Sequence, residues 1–157
     1  MSEVRLRDVI PEDLPELFEH QRDPASNRMA AFPARDREAF DAHWARILVD
    51  PAVRTMTIVC DDRVAGSILS WDASGRRLIG YWIAQDLWGR GIASRALAAF
   101  LRLEGARPLH AHVAKHNPAS LRVLLKCGFT IESEGKIEDE RVTEDIEEFV
   151  LRLDAAS

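Results

Sequence analysis

Residues 78–103, LIGYWIAQDLWGRGIASRALAAFLRL, leave this chain few ways to fold. The stretch opens on an apolar run with Tyr81 and Trp82 at its centre, the composition of a buried strand. Gln85, Asp86 and Leu87 break that run, and WGRGIA at 88–93 follows as a turn punctuated by Gly89 and Gly91. Ile92, Ala96, Ala99, Phe100 and Leu103 then recur at helical spacing, with Ser94, Arg95 and Arg102 between them. A strand, a glycine turn and a helix start together make an anion site. The first amides of a helix lack intrahelical acceptors, and its dipole favours negative charge at that end. Glycines let a backbone approach a phosphate closely, and Arg90 adds a cation beside them. A plain tight connection with a solvated arginine would use the same residues, so the turn alone leaves both readings open. The sequence contains no G-x-x-x-x-G-K-[ST] loop, and no G-x-G-x-x-G with an acidic residue about twenty positions on.

A second motif narrows the choice. NPASLRVLLKCGF at 117–129 joins a helix-capping Asn117 to Ser120 one turn on, and ends in Lys126, Gly128 and Phe129. The 88–93 loop resembles the pyrophosphate loop of the GNAT acyl-CoA N-acyltransferase superfamily, usually written Q/R-x-x-G-x-G/A. Gly91 and Ala93 match its second half, while Trp88 stands where the superfamily usually has Gln or Arg. A tryptophan there, together with the 117–129 segment, is similar to the branch of ribosomal-protein N-terminal acetyltransferases. The resemblance spans about residues 5–153, although the first half shares only a general pattern.

The remaining sequence is compatible with one domain, 1–157. A chain of 157 residues with 46% hydrophobic content can bury a continuous core. Twenty-one basic against 26 acidic residues give a net charge of −5, which speaks against a nucleic-acid surface. Cys60 and Cys127 have no zinc-site spacing, and buried free thiols in a reducing cytoplasm are expected over a disulfide. No apolar stretch reaches membrane-spanning length and the N-terminus lacks a signal-peptide core, so a cytoplasmic protein without membrane partners is expected.

Residues 4–8 alternate as a strand. Pro11, Glu12 and Asp13 open a helix that uses Leu14, Leu17 and Phe18 and ends near His20. A short piece follows Asp23 and Pro24, and residues 36–49 form a clearer helix with Phe40, Trp44, Ile47 and Leu48 on one side. Strands are expected at 55–60 and 64–71 as a hairpin, then at 78–84 and 109–114. A helix from Pro118, with Leu121, Leu124 and Leu125 inward, stops at Gly128. Strands at 129–133 and 146–153 flank an acidic loop, 134–145. The order predicts an α/β (α+β) fold. The resemblance implies the GNAT-like acyl-CoA N-acyltransferase form of it: a central, mostly antiparallel mixed sheet that splays after its central strand, flanked by helices, with acyl-CoA in the opening.

The resemblance also assigns the chemistry. It implies that amides across Gly89, Arg90, Gly91, Ile92, Ala93 and Ser94, with Trp88, hold the pyrophosphate of acetyl-CoA. Backbone groups of Tyr81, Trp82 and Ile83 would pair with the pantetheine arm as an added strand, and Asn117 would touch that arm from the opposite wall. Many superfamily members place an acidic tyrosine seven residues after the motif asparagine; here Leu124 holds that position and donates no proton. Ser120 is implied instead as the thiolate's hydroxyl donor, against the plain reading of a helix-bonded serine. His112, five residues before Asn117, is the candidate base, since histidine changes charge near neutral pH. His110 and His116 compete with it, as does a merely packed histidine; no metal site is expected. The implied activity is acetyl transfer from acetyl-CoA to a primary amine, of a protein N-terminus or of a small molecule. A catalytically silent acyl-CoA-binding regulatory domain is the alternative. The resemblance allows a homodimer, for which no interface is legible.

Overall fold

The computed structural model describes residues 3–139 and 141–155. Its strands are β1 (Val4–Asp8), β2 (Arg54–Cys60), β3 (Arg63–Ala73), β4 (Arg76–Ile83), β5 (Leu109–Ala114), β6 (Thr130–Lys136) and β7 (Glu147–Leu153). The helices are α1 (Leu14–Arg22), α2 (Pro24–Ala30), α3 (Arg37–Leu48), α4 (Ile92–Leu103) and α5 (Pro118–Lys126), with a 3₁₀ turn, Pro11–Asp13, leading into α1. The strands form one sheet ordered β1-β2-β3-β4-β5-β7-β6. Every neighbouring pair is antiparallel except β4 and β5.

That parallel pair carries the function-bearing geometry. β4 stays in register with β3 as far as Ile83 opposite Gly66. It pairs with β5 only at Arg77 opposite Leu109 and Leu78 opposite His110. Beyond Leu78 the two strands diverge, and the sheet opens as a V whose inner edges lack a strand partner. A buried polar network closes its narrow end. Ser70 Oγ donates to Glu104 Oε2 at 2.5 Å, and Arg77 Nη2 donates to Ser70 Oγ at 3.0 Å and to Glu104 Oε2 at 3.2 Å. Burial opposes ionisation of Glu104, but these donors and the Ala106 amide outweigh it and hold the carboxyl below the usual range.

The main core lies between the sheet and α4, where Ile58, Ile68, Leu97, Phe100, Leu109 and Leu151 are fully buried. A smaller cluster of Leu17, Phe18, Phe40 and Trp44 joins α1 to α3, with Phe18 and Phe40 edge to face at 5.3 Å. Asp13 fastens this helical layer to the sheet. Its buried carboxylate accepts both Arg7 guanidinium nitrogens at 2.8 Å, the Ile10 amide at 3.0 Å and Thr57 Oγ1 at 2.8 Å. Desolvation resists its charge, yet the four donations keep the carboxyl below its ordinary range.

Several sequence expectations shift. α1 runs on to Arg22, and β6 reaches Lys136, which shortens the acidic connection to residues 137–146. On α4 the buried stripe is Ile92, Ala96, Leu97 and Phe100, while Leu103 is exposed, because the helix ends just beyond the sheet it covers. Leu125 of α5 likewise faces outward, and only Leu124 of that helix is fully buried. Cys60 is buried as expected, but Cys127 is only half-buried; both thiols are free. Among the described residues, no helix is long and apolar enough to cross a membrane.

Candidate active site

The opening between β4 and β5 holds a cavity of about 530 Å³. Tyr81, Trp82 and Ile83 of β4 line one wall, and His112 of β5 with Asn117 and Ser120 of α5 the other. Trp88, Gly89, Gly91, Ile92, Ala93 and Ser94 form one end. Arg90 lies outside the lining and is exposed.

Gly89 and Gly91 both adopt left-handed backbone, at φ 78° and 73°, which glycine enters without a Cβ penalty. Gly91 is the N-cap of α4 and supplies no side-chain cap. The first internal bond of the helix is Arg95 N to Gly91 O at 3.2 Å, so the amides of Ile92, Ala93 and Ser94 precede it. Arg95 folds back to donate to Arg90 O at 3.1 Å and Gly91 O at 3.4 Å. Its guanidinium thereby occupies the carbonyl side of the loop and leaves the amide side to an anion. Trp88 explains its own departure from the superfamily pattern: its indole Nε1 donates to Ile83 O at 3.0 Å and locks the loop to the end of β4. That bond takes the Ile83 carbonyl, so the strand-like pairing expected along Tyr81, Trp82 and Ile83 has one acceptor fewer than the sequence suggested. Trp82 is held from behind, its Nε1 donating to His20 O at 3.0 Å.

Across the cavity, Asn117 caps α5 through its side-chain oxygen, which accepts the Ser120 amide at 3.3 Å. Its amide nitrogen makes no bond to another described residue. Ser120 Oγ lies 2.8 Å from the Tyr81 hydroxyl, joining α5 to β4 across the V. Burial pushes the Tyr81 phenol up to about 12, against the opposing effect of the Ser120 hydrogen bond. The sequence pointed to Tyr81 for its backbone and missed this hydroxyl. Leu124 is buried and contributes only apolar lining to the cavity, while the one phenol there comes from the facing strand.

The three histidines separate. His112 lines the cavity, and its Nδ1–H donates to Glu148 Oε2 of β7 at 3.0 Å, which fixes the ring's orientation. His110 is buried away from the cavity, its Nε2 3.4 Å from Glu132 Oε2. His116 Nε2 donates to Arg28 O of α2 at 2.6 Å and serves as a tie between layers. Among the described residues no group of three or more His, Cys, Asp or Glu side chains is placed to hold a metal.

A loop of free helix amides, an open strand edge and a hydroxyl pair in one cleft define an acyl-CoA acyltransferase site. The family comparison agrees: residues 3–130 match the model of the acetyltransferase (GNAT) domain, and the chain belongs to that family. It is therefore an acetyl-CoA-dependent N-acetyltransferase. No curated protein matches the sequence. Similar solved structures include a spermidine N-acetyltransferase from Vibrio cholerae in complex with CoA and spermine, at 15% identity and TM-score 0.83, covering 96% of this chain and 94% of that one. The acetyltransferase of Salmonella typhimurium that modifies the N-terminal serine of ribosomal protein L7/L12 aligns at 19% identity and TM-score 0.80, over 98% and 95% of the two chains. The microcin C7 self-immunity acetyltransferase, in complex with acetyl-CoA and AMP, aligns at 17% and 0.79, over 98% and 93%. At these identities the likeness is one of fold.

Proposed function

We propose that residues 1–157 form one N-acetyltransferase domain that moves an acetyl group from acetyl-CoA directly to a primary amine within a ternary complex. The observation that carries this reading is the Tyr81–Ser120 hydroxyl pair, 2.8 Å across, in the same cavity as the α4 amides. Acetyl-CoA supplies the activated thioester. The amides of Gly91, Ile92, Ala93 and Ser94 hold its pyrophosphate, with Gly89 allowing the close turn and Arg90 adding charge from outside. Tyr81, Trp82, Ile83 and Asn117 hold the pantetheine arm between the two walls.

During transfer the amine nitrogen bonds to the acetyl carbonyl carbon and the carbon–sulfur bond breaks. The Ser120 hydroxyl donates to the departing sulfur, and Tyr81 is its hydrogen-bond partner and reserve of protons. The excess proton on the nitrogen passes to His112 Nε2, whose ring Glu148 orients. With its carboxyl acceptor behind it, His112 reads better as a base than as packing. We place the enzyme in the cytoplasm, acting without nucleic acid, membrane or metal and compatible with a homodimer. The acceptor amine belongs to a peptide N-terminus or a small molecule, as in the two kinds of enzyme that share this fold.

Release of CoA thiol, measured against amines of both kinds, tests the reading. Amine-dependent thiol release that falls in Ser120→Ala is expected. Tight acetyl-CoA binding with no amine-dependent release would instead make the chain a regulatory acyl-CoA-binding domain.

A further inference from the structure

Beside the catalytic cleft, and sharing Met29 with it, lies a second hollow of about 650 Å³ lined by residues from α2, the chain after it and the 137–146 connection. Its floor is the Phe32 ring, and two guanidiniums stand over that ring: Arg141 at 4.2 Å from its centroid and Arg35 at 5.5 Å. Arg141 is paired, since Asp139 accepts its Nε at 3.2 Å and its Nη2 at 2.9 Å. Arg35 has no carboxylate partner among the described residues, although its backbone is fixed by Gln21 through bonds of 3.0 Å and 2.7 Å. Arg46 of α3 lies outside the lining, and its Nη2 donates to His43 Nδ1 at 3.2 Å. A nitrogen accepting from a guanidinium is unprotonated, so His43 adds no charge and takes none away. Burial, followed by Arg35, Arg46 and Arg141, depresses His43 to about 4. Arg28 lines the same hollow, where Glu144 is the lining carboxylate. Asp36, close by in sequence, is committed to capping α3 through the Ala39 amide at 2.8 Å.

Arg28 and Arg35 have no carboxylate partner among the described residues, and an anionic ligand would give their guanidiniums charge-assisted bonds. Guanidiniums stacked on an aromatic ring are also held at fixed angles, which suits them to a planar carboxylate or a phosphate. A polyamine would bring further positive charge to the same wall.

We propose that this hollow receives an anionic group of the acceptor, so that the preferred amines carry a carboxylate or phosphate and polyamines are poor acceptors. The proposal rests on the transferase reading above and adds the class of its second substrate. It assigns Arg35 and Arg28 to acceptor binding, with Arg141 and Phe32 setting the geometry.

The test compares glycyl-aspartate and phosphoethanolamine with glycyl-asparagine amide and spermidine, in wild type and in Arg35→Met/Arg28→Met. Methionine keeps the apolar stem that packs on the ring. In wild type, kcat/KM for at least one anionic amine is expected to exceed that for the neutral one by about tenfold or more. The advantage is expected to fall with rising salt and to collapse in the double variant through KM, with the KM for acetyl-CoA unchanged. Whichever anionic amine shows it names the anion as carboxylate or phosphate. A preference for spermidine or the neutral amine, or an advantage that survives in the double variant, overturns the proposal. Calorimetry with N-acetyl-glycyl-aspartate added to the CoA complex separates the two readings. Tight binding that the double variant loses, without turnover of any amine, leaves the anion wall standing and removes the transferase. Binding no tighter than that of the neutral analogue removes the wall.

Discussion

The two sides of the cleft are made of different material. The donor side is backbone: two left-handed glycines, three helix-start amides, and a strand edge released where β4 leaves β5. The proposed acceptor side is side chains: the guanidiniums of Arg35 and Arg141 over one phenylalanine, with Arg28 lining the same hollow. A backbone site tolerates most substitutions, because they leave amides in place. A side-chain site can be rewritten by single changes. On the proposed reading, the contrast is between a donor read by main chain and an acceptor read by charge.

The largest expected effect breaks the fastening between the two sides. Asp13→Asn leaves Arg7 without its partner beside the sheet and should lower stability by about 3 kcal/mol, the size seen when one member of a buried pair is removed. Urea unfolding followed by circular dichroism measures it. The same carboxyl sets an acid limb. Its folded pKa is depressed, so its contribution is present above the unfolded value of about 3.9 and is lost as pH falls through the lower folded value. Below that range the variant and wild type should converge in midpoint.

Next come the cleft hydroxyls. Ser120→Ala with Tyr81→Phe should lower kcat by about 10³ while acetyl-CoA affinity stays near wild type. The single changes should fail to add, as expected of a pair that acts together. Because the phenol is raised to about 12, Tyr81 should contribute no alkaline limb to the kcat profile below pH 10. His112→Gln should cost about 10² near neutral pH, narrowing as the free amine becomes abundant in alkali. Arg90→Ala is the smallest: an exposed cation outside the cavity lining should weaken acetyl-CoA by only a few fold, more at low salt. A large Arg90 effect would blur the contrast, since the donor side would then depend on a side chain.

The same contrast accounts for what was legible in the sequence. Gly89 and Gly91 between an apolar strand and an amphipathic helix announce their geometry locally, and Asn117 before Pro118 announces a cap. The fold order and the loop could therefore be read from residues close together. Tyr81 and Ser120 meet from 39 positions apart. Arg35 and Arg141 meet on Phe32 from opposite ends of the chain. Long-range register decides such meetings, and no local period encodes them. His112 led two competing histidines in sequence; the pairing of β5 with β7 brings Glu148 to His112, and the pairing of β7 with β6 brings Glu132 to His110. The outward turns of Leu103 and Leu125 were hidden for a related reason, since periodicity marks an apolar stripe but not how far the covering surface extends.

Calorimetric titration with acetyl-CoA of wild type and Gly91→Trp tests the backbone donor site most directly. A Cβ at Gly91 would meet no protein atom within 4 Å, so the indole would project into the space meant for phosphate rather than into the core. The left-handed φ of 73° adds strain of about 1–2 kcal/mol, which circular dichroism and a melting curve would monitor. The expected result is one-to-one binding by wild type that vanishes in a folded variant. Failure of well-folded wild type to bind acetyl-CoA, or binding unaltered by the tryptophan, would contradict the account.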